Sequence, residues 1–401
     1  MSRLEELIEQ YCPDGVEYVP LSSIGTIKRG NGLQKKDFVK TGVGCIHYGQ
    51  IYTKFGLFAD KTLTFVDEEL ASHLLKVEKG DLVIACTSEN VEDVCKAVAW
   101  LGDETITTGG HSCVLHHNQN PKYVAYFFQS ESFQSQKKKY AYGTKVIDIK
   151  PDSIGKIEIP VPPMPVQEEI VRILDNFTEL QAELQAELQK RKLQYSYYRD
   201  NLLSFSGRSD VKWMKLGDIG KVCMCKRIMK NQTSQEGDVP FFKIGTFGGV
   251  ADAYISQELF EEYKSKYSYP QKGDILISAA GTIGRTVVYD GTPSYFQDSN
   301  IVWLQHNESI VLNTFLKYCY ALNPWVVSTG GTIARLYNDN ILNAVIPVPS
   351  LAEQQRIVDI LDRFDTLTND LTTGLPAEIE KRRQQYEYYR DKLLTFKRKT
   401  A

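Results

Sequence analysis

Two blocks of this 401-residue chain occur twice, and this internal repeat constrains the fold more than any other feature of the sequence. The segment IPVPPMPVQEEIVRILDNFTEL begins at Ile159, and IPVPSLAEQQRIVDILDRFDTL begins 187 residues later at Ile346. Further on, KLQYSYYRDNLLSF ends at Phe205, and RQQYEYYRDKLLTF ends 191 residues later at Phe396. Because the offset rises from 187 to 191, the second copy has gained four residues between its blocks. The chain is a duplication.

Both copies carry the apolar spacing of a long helix, with apolar residues at steps of three or four. In the first copy these residues are Ile170, Ile173, Phe177, Leu180, Leu184 and Leu188, and then Tyr195, Tyr198, Leu202 and Phe205. In the second copy they are Ile357, Ile360, Phe364, Leu367 and Leu371, and then Tyr386, Tyr389, Leu393 and Phe396.

The boundaries of these helices follow from proline and glycine. Prolines upstream of the first stripe place its start near Gln167, so a helix to Phe205 would span about 58 Å. A single apolar stripe of that length needs a partner helix, and the other copy is the obvious partner. Gly374 and Pro376 predict a break in the second helix.

The segments that precede the two helices also correspond to each other. VEYVPLSSIGTIKRG from Val16 resembles VKWMKLGDIGKVCMC from Val211, and KGDLVIA from Lys79 resembles KGDILIS from Lys272. VLHHN at Val114 is similar to WLQHN at Trp303. Short apolar runs between glycine-containing turns predict β-rich domains without a long helical period. The chain therefore has the order domain, helix, domain, helix.

Composition and charge narrow the function. No apolar run approaches the ~18 residues of a membrane-spanning helix, and the charged segment MSRLEELIEQ is not a secretory signal, so we expect a cytoplasmic protein. Eight scattered cysteines without a CxxC pair predict buried thiols and no disulfide framework. The net charge of −3 is unusual for a chain that binds DNA alone, so DNA contact would be local or aided by a partner.

The motifs of an enzyme are missing. GTIGRT at Gly281 lacks the lysine of a phosphate-binding loop, and no N/D-P-P-aromatic motif of a DNA methyltransferase occurs. His111, Cys113, His116 and His117 form a ligand-like cluster, but ordinary strand side chains are the favoured interpretation. We therefore expect no catalytic residues, no metal and no cofactor in this chain.

The repeated blocks nevertheless point to a family. The Pro-rich entry, the ILDxF block and the twice-occurring QYxYYRDxLLxF resemble the conserved helices of the specificity subunits of type I restriction–modification systems. The resemblance is to the branch with short tandem repeats in the central helix, which are visible here as ELQA from Glu179, ELQA from Glu183 and ELQ from Glu187.

This resemblance implies an α+β fold in which two mixed α/β target-recognition domains are separated by two long helices. The helices would form an antiparallel coiled coil with pseudo-two-fold symmetry. The expected division is residues 1–159 for target-recognition domain 1, 160–206 for the central helix, 207–346 for target-recognition domain 2 and 347–401 for the C-terminal helix.

The resemblance also implies the function. Each domain would read one half of a bipartite, asymmetric target in double-stranded DNA, and the chain would recruit two methyltransferase subunits and the restriction subunits. S-adenosylmethionine, ATP and Mg²⁺ would be bound by those partners. Because the partners can supply phosphate contacts, the acidic net charge of this chain is no objection.

Chemistry alone selects candidate DNA contacts, since recognition domains diverge with their targets. Glycine loops can approach phosphates, basic clusters can contact phosphates or guanine, and polar turn residues can reach base edges. These candidates are Lys28, Arg29, Lys35, Lys36, Thr87, Ser88, Asn90, Gly143, Thr144, Lys145, Lys226, Arg227, Arg285, Gly330, Gly331 and Thr332, together with the cluster Lys137–Lys138–Lys139. For each basic cluster, a solvated charge run is the competing interpretation, and for the glycine loops a tight turn.

Partner docking is expected on the repeated helix blocks. Adjacent aromatic residues cannot both face one partner helix, so one member of each pair is free for another surface. The candidates are Tyr197, Tyr198, Arg199, Tyr388, Tyr389 and Arg390. Two alternatives remain: a specificity subunit of a modification-only methyltransferase assembly, and a coiled-coil scaffold that binds no DNA.

Overall fold

The computed structural model of the chain describes residues 2–327 and 334–399. Its contacts divide the chain into two compact units. Unit 1 consists of residues 1–185 and 378–401, and unit 2 consists of residues 186–377.

The elements follow one another in the predicted order. The helices are α1 (Arg3–Tyr11), α2 (Leu21–Ile24), α3 (Tyr48–Thr53), α4 (Glu68–His73), α5 (Pro121–Gln129), α6 (Glu131–Lys137), α7 (Pro151–Gly155), α8 (Met164–Ser204), α9 (Leu216–Ile219), α10 (Gln257–Lys266), α11 (Asn313–Tyr320), α12 (Asn338–Leu342), α13 (Leu351–Asn369) and α14 (Leu375–Leu393).

The strands before α8 are β1 (Tyr18–Pro20), β2 (Gly25–Arg29), β3 (Val43–Ile46), β4 (Phe58–Ala59), β5 (Thr64–Val66), β6 (Leu75–Val77), β7 (Leu82–Ala85), β8 (Thr87–Ser88), β9 (Ala97–Trp100), β10 (Ile106–Thr108), β11 (Ser112–His117), β12 (Ile147–Asp148) and β13 (Glu158–Pro160). The strands after α8 are β14 (Lys212–Lys215), β15 (Lys221–Cys223), β16 (Val239–Phe242), β17 (Tyr254–Ile255), β18 (Ile275–Ser278), β19 (Thr286–Val288), β20 (Tyr295–Phe296), β21 (Ile301–Gln305) and β22 (Val345–Val348). Short 3₁₀ helices cover Lys35–Asp37 and Lys230–Gln232.

The sheets of unit 1 are mixed. One has the order β2-β11-β7-β9-β4, the other has the order β5-β3-β10-β6, and β1 pairs with β13 and β12 with β8. The central strand β7 is buried at every position, which explains its uninterrupted apolar sequence LVIA. β10 pairs in parallel with β3 and antiparallel with β6.

Unit 2 repeats this topology with fewer described strands. Its sheets have the orders β15-β21-β18-β19 and β17-β16-β20, and β14 pairs with β22. β16 pairs antiparallel with β17 and in parallel with β20, as β3 does with β5 and β10. The internal repeat predicted from the sequence is therefore a repeat of strand topology, and the predicted fold class is confirmed.

A buried glutamine fixes the start of each long helix to its domain. In unit 1 the side chain of Gln167 is fully buried, accepts a hydrogen bond from the Asn120 amide at 3.1 Å and donates to the Pro162 carbonyl at 2.8 Å. In unit 2 Gln354 is equally buried, accepts from the Leu312 amide at 2.9 Å and donates to the Pro349 carbonyl at 2.9 Å. Burying a side-chain amide is tolerated because both of its ends are hydrogen-bonded.

A tyrosine–aspartate contact repeats about two turns further along each helix. The Tyr126 hydroxyl donates to Asp175 at 2.7 Å in unit 1. The Tyr318 hydroxyl donates to Asp362 in unit 2. Each domain is thus held by two equivalent polar contacts to the helix that follows it in the chain.

The helix segments pair antiparallel within each unit. In unit 1, α8 begins in the domain core at Val166 and α14 ends in the same core near Leu394, and the rings of Phe177 and Tyr389 stack at 5.6 Å. In unit 2, α8 ends in the core at Leu203 and α13 begins there, and the rings of Tyr198 and Phe364 stack at 5.4 Å. The predicted partner-helix packing of the two stripes is confirmed in each unit.

The helix boundaries refine the sequence prediction. α8 begins at Met164, three residues before the expected Gln167, because Pro165 lies in the first turn, where a helix needs no amide donor. The predicted break of the second helix is confirmed between α13 and α14. A Cβ on Gly374 would lie 2.4 Å from the Thr366 carbonyl oxygen, so the chain can pass this point only with glycine.

The prediction that all cysteines are buried thiols without a disulfide is wrong for one pair. Cys86 is bonded to Cys113 on the neighbouring strand, whereas the other six are free and buried as predicted. The sequence separation of 27 residues gave no indication, because strand pairing alone brings these two side chains together. Within the described residues, no helix combines the length and apolar character that crossing a membrane requires.

Candidate nucleic-acid interface

The same backbone junction underlies a cleft in each unit. In unit 1 the residue after β7, Cys86, donates its amide hydrogen to the carbonyl of His111, just before β11, at 2.8 Å. In unit 2 the residue after β18, Ala279, donates to the carbonyl of Asn300, just before β21, at 2.7 Å. The two junctions are equivalent in topology and in hydrogen bonding.

Cleft 1 opens at this junction in unit 1 and has a volume of about 540 Å³. Its lining includes Tyr48, Tyr52, Thr87, Ser88, Asn90 and His111. The Thr87 hydroxyl lies 3.1 Å from His111 Nδ1, and the Thr87 carbonyl accepts a hydrogen bond from the Tyr52 hydroxyl at 2.8 Å. Hydroxyl, amide and imidazole groups are the groups that form hydrogen bonds with base edges.

Aromatic rings brace one wall of cleft 1. The ring of Tyr48 lies 4.7 Å from His111 and 4.6 Å from His47, and Phe38 packs edge-on against His47 at 5.8 Å. His47 also caps α3 by accepting the Gly49 amide hydrogen. Burial lowers the pKa of His47, and the positive charge of Lys35 and the neighbouring His111 lower it further. His47 is therefore a neutral structural residue near neutral pH.

Cleft 2 is the counterpart in unit 2, with the same volume of about 540 Å³. It is richer in cations, and its lining includes Arg227, Lys230, Lys243, Gln297, Asn300 and Arg335. Arg227 pairs with Asp298 at 2.8 Å and Lys243 with Asp252 at 2.8 Å, while Arg335 donates to the Ser299 carbonyl at 2.6 Å. Four cations around one opening form a local basic patch in a chain of net charge −3.

The structure brings some of the predicted DNA-contact residues together and separates others. Thr87, Ser88 and Asn90 line cleft 1, and Arg227 lines cleft 2. Thr87 is itself buried, and Asn90 closes a turn by accepting the Asp93 amide hydrogen at 2.7 Å.

The predicted basic residues between positions 28 and 36 are all exposed, but one of them, Arg29, also forms an ion pair. Lys28 on β2 is exposed but lines a different pocket, beside His116. Lys35 and Lys36 are exposed on the short 3₁₀ helix. Arg29 is engaged in a two-pronged ion pair with Asp148, at 3.0 and 2.6 Å, and its Nε donates to the Gly110 carbonyl.

That ion pair fixes the predicted glycine loop of unit 1. Tyr142 and Asp148 exchange backbone hydrogen bonds across it, and Gly143 has a φ of 117°, which only glycine adopts readily. Thr144 and Lys145 are exposed at its tip. Gly143 therefore lies in a tight turn, and its predicted DNA contact stays a prediction, whereas Gly330, Gly331 and Thr332 lie outside the described residues.

Lys137 is placed otherwise than predicted. Its side chain is completely buried, and its Nζ donates to the carbonyls of Glu92 at 2.8 Å and Val94 at 2.9 Å. Lys138 and Lys139 are exposed. The lysine run is thus one structural residue followed by two surface residues, because α6 turns its last apolar-facing position into the core.

The remaining basic candidates of unit 2 are on the surface with local partners. Lys226 lies over the ring of Tyr267 at 5.1 Å, and Arg285 donates to the Gly248 carbonyl at 3.1 Å. In unit 1, the ligand-like cluster does not converge: Cys113 is bonded to Cys86, and His116 pairs with Asp81 at 2.6 Å.

Of each pair of adjacent tyrosines proposed for partner docking, one packs against the neighbouring helix and the other is exposed, as helix geometry requires. Tyr198 and Tyr389 stack on the phenylalanines of the neighbouring helix, whereas Tyr197 and Tyr388 are 66% and 62% exposed. Arg199 pairs with Asp200, and Arg390 pairs with Asp391 and lies over the ring of Tyr386.

Sequence reasoning missed several residues of the two clefts, namely His111, Lys243, Gln297, Asn300 and Arg335. One available signal was the alignment of VLHHN with WLQHN, which pairs His111 with Asn300 at an offset of 189. Lys243 and Gln297 follow strands that are too short to align by eye, and Arg335 lies outside the two repeated blocks.

Comparison with known proteins gives a consistent family. A family model described as "Type I restriction modification DNA specificity domain" matches residues 13–191 and 208–381. The chain is 57% identical over 251 residues to a putative type I restriction enzyme specificity subunit of Haemophilus influenzae, an alignment that covers 61% of this chain and 65% of that one. It is 39% identical over 263 residues to the EcoR124I/EcoR124II specificity subunit of Escherichia coli, covering 60% of this chain and 63% of that one. The matches therefore span slightly less than two thirds of these relatives.

Solved structures share the fold at low sequence identity. A chain from a study of complex assembly and conformational transition of the type I system matches with a TM-score of 0.62 at 18% identity, over 95% of this chain and 97% of that one. The specificity subunit of the type I system of M. genitalium matches with a TM-score of 0.52 at 16% identity, over 95% and 96%.

Proposed function

Because the chain belongs to the family of type I restriction–modification DNA specificity domains, we propose that it is the non-catalytic specificity subunit of a type I enzyme. In this role it reads a bipartite, asymmetric target in double-stranded DNA. Residues 1–159 and 207–346 are the two target-recognition domains, and residues 160–206 and 347–401 are the conserved helices.

The observation that carries this proposal is the pair of equivalent clefts with different linings. Clefts 1 and 2 open at the same backbone junction, but their linings differ. Cleft 1 combines hydroxyl and imidazole groups with one amide, one lysine and two carboxylates, whereas cleft 2 has two arginines and two lysines beside two amides and one carboxylate. Two similar scaffolds with unlike side chains are what an asymmetric target requires, because each half-site needs its own pattern of donors and acceptors. A coiled-coil scaffold that binds no DNA gives no reason for this arrangement.

The proposed partners supply the chemistry. Two methyltransferase subunits bind S-adenosylmethionine and methylate adenine, and the restriction subunits use ATP and Mg²⁺ in the cytoplasm. The exposed Tyr197 and Tyr388 offer each methyltransferase the same aromatic contact, and buried aromatic side chains often dominate the binding energy of interfaces. Replacing both tyrosines by alanine should weaken assembly with the methyltransferase while the stacked Tyr198 and Tyr389 preserve the fold.

The decisive experiment expresses the chain together with its neighbouring methyltransferase gene and maps the modified adenines. We expect a split motif that is methylated only when both proteins are present. Methylation by the methyltransferase alone, or no bipartite motif from the pair, would contradict the proposal. Adding the restriction gene separates the full type I enzyme from a modification-only assembly, since only the former cleaves unmethylated DNA.

A further inference from the structure

His111 and Asn300 occupy one and the same position in the two recognition domains. Each stands immediately before the strand that pairs with β7 or β18, and each carbonyl accepts the hydrogen bond from the residue that follows that partner strand. Each side chain lines its cleft. The scaffold is therefore constant here, and only the side chain differs.

Neighbouring side chains orient the imidazole of His111 and leave one of its two ring nitrogens available to bind a ligand. Nδ1 is engaged with the Thr87 hydroxyl at 3.1 Å, and the ring rests against Tyr48 at 4.7 Å. Thr87 is in turn fixed by its backbone hydrogen bond from Tyr52. Orientation by these neighbours leaves Nε2 for a ligand, and the ring is exposed in the cleft.

Both the donor and the acceptor of the Asn300 side-chain amide are available to bind a ligand. Its backbone is fixed at both ends, because its amide donates to the Asp298 carbonyl at 2.7 Å and its carbonyl accepts from Ala279. The neighbouring amide of Gln297 is engaged by the Ile244 amide at 2.9 Å. The side-chain amide of Asn300, by contrast, has no hydrogen-bond partner within residues 2–327 and 334–399, although the residue is only partly exposed. Because the residue is partly exposed in an open cleft, water can hydrate its amide in the free protein, and a ligand that offers both a donor and an acceptor can replace that water.

We infer that His111 and Asn300 are base-contacting residues, one for each half of the DNA target, an inference that rests on the proposed function. Asn300 presents a donor and an acceptor, the pair that matches N7 and N6 of adenine in the major groove. The cations around Asn300 hold the neighbouring phosphates and bring the base edge within reach. His111 offers a single hydrogen bond through Nε2 to one base of the other half-site.

The test maps methylated motifs for the complex with Asn300→Ala and, separately, with His111→Ala. Each variant should relax the base preference at one position of one half-site, by roughly 5- to 150-fold, and leave the other half-site unchanged. The exchange variants His111→Asn and Asn300→His should alter the preferred base at those same two positions.

Matched controls use the same residue types elsewhere. Asn307→Ala lies at the opposite end of β21, and His73→Ala lies at the exposed end of α4, so both should leave the motif unchanged. An unchanged motif in both cleft variants would overturn the inference, as would uniform loss of methylation at all sites from an assembled complex. A wild-type complex that methylates no bipartite site would instead refute the proposed function itself.

Discussion

Lys137 illustrates how a charged side chain becomes part of a domain core. Its aliphatic stem is buried, and its ammonium group binds the Glu92 and Val94 carbonyls, which belong to the loop between β8 and β9. Burial lowers the pKa of Lys137, since desolvation penalises its charged form. The lysine thus ties α6 to a loop whose residues also line cleft 1.

Replacing this lysine by methionine should destabilise unit 1. Lys137→Met keeps the apolar stem but leaves the buried Val94 carbonyl and the partly buried Glu92 carbonyl without their donor, at a cost of about 2–4 kcal/mol. Lys138→Met, at the adjacent exposed position, should change the free energy of unfolding by less than about 0.5 kcal/mol. Urea denaturation of the three proteins measures both values. Equal stability of the two variants would contradict the structural role of Lys137.

Two equivalent histidines predict how stability depends on pH. His117 and His306 each accept a backbone hydrogen bond through Nδ1 from the residue two positions later, at 3.1 Å, and each has a buried Nε2 without a partner in the described part of the chain. Burial lowers the pKa of both, and lowers that of His117 to about 4. Both imidazoles are therefore neutral in the folded protein near neutral pH.

The stability contribution of His117 should be lost in mild acid. The unfolded chain protonates this histidine near 6.5, whereas the folded chain does so only near 4, so the unfolded state binds more protons between these values. The free energy of unfolding then falls with falling pH, by at most about 1.4 kcal/mol per pH unit. In His117→Asn, Oδ1 still accepts the backbone hydrogen bond but does not titrate. Denaturation at pH 5 and pH 7.5 should show a smaller difference for this variant, and an equal difference would refute the assignment.

At the residue scale the sequence was least informative. Residue type alone could not separate Lys137 from Lys138, because only the phase of a seven-residue helix against the core distinguishes them. Arg29 looked free to bind DNA, yet its partner Asp148 lies 119 residues away in sequence. Such long-range pairs depend on strand pairing that a single sequence does not specify.

At the scale of elements the sequence predicted much more. The 3.6-residue period identified α8 and the two-part second helix, since long amphipathic helices are the most regular pattern in a chain. The extra four residues of the second copy fall at the break between α13 and α14, where Asp370 accepts hydrogen bonds from Thr372 and Thr373. Because a few adjacent residues are enough to form such a turn, the sequence predicts its position.

The tandem ELQA units of α8 suggest that this helix sets the spacing of the target. α8 is helical without interruption through Glu179, Glu183 and Glu187. One four-residue unit adds about 6 Å of rise and about 40° beyond a full turn, which is close to the 34–36° of twist per base pair. Deleting one unit should therefore shorten the non-specific spacer of the target by about one base pair.

Methylome mapping of the deletion variant measures that spacer directly. A suitable control replaces Glu183-Leu184-Gln185-Ala186 by another helix-forming tetrapeptide that keeps the leucine, such as Lys-Leu-Lys-Ala, so that length is unchanged. The control should keep the spacer of the wild type. An unchanged spacer in the deletion variant would refute the hypothesis that α8 sets the spacing of the target, and would leave ELQA as a helix-forming sequence only.

For the whole molecule, the duplication was the informative signal. It predicted two similar domains and two paired helices, and the equivalent sheets and the equivalent Phe177–Tyr389 and Phe364–Tyr198 contacts confirm that arrangement unit by unit. The clefts could not be predicted in the same way. They arise at the ends of strands that pair in the sheet but are not consecutive in sequence, and their linings differ between the two copies, so the repeat does not reveal them.

The acidic balance of the chain leads to a final prediction about DNA binding. Because the net charge is −3 and cations such as Arg227 and Lys243 are paired with acidic residues, the isolated chain can neutralise few phosphates. Because the logarithm of the binding constant falls with that of the salt concentration by about 0.9 per neutralised phosphate, its salt dependence should be shallow. The proposed complex with the methyltransferase should bind more tightly and show a steeper slope, because in that proposal the partner would supply most phosphate contacts. Fluorescence anisotropy measures both slopes with a target duplex between roughly 50 and 200 mM salt. Over roughly this range such effects reach 10³-fold or more.

Equal affinity and equal slope for the chain and the complex would contradict this prediction. The chain would then bind the DNA backbone by itself, through cations on its own surface.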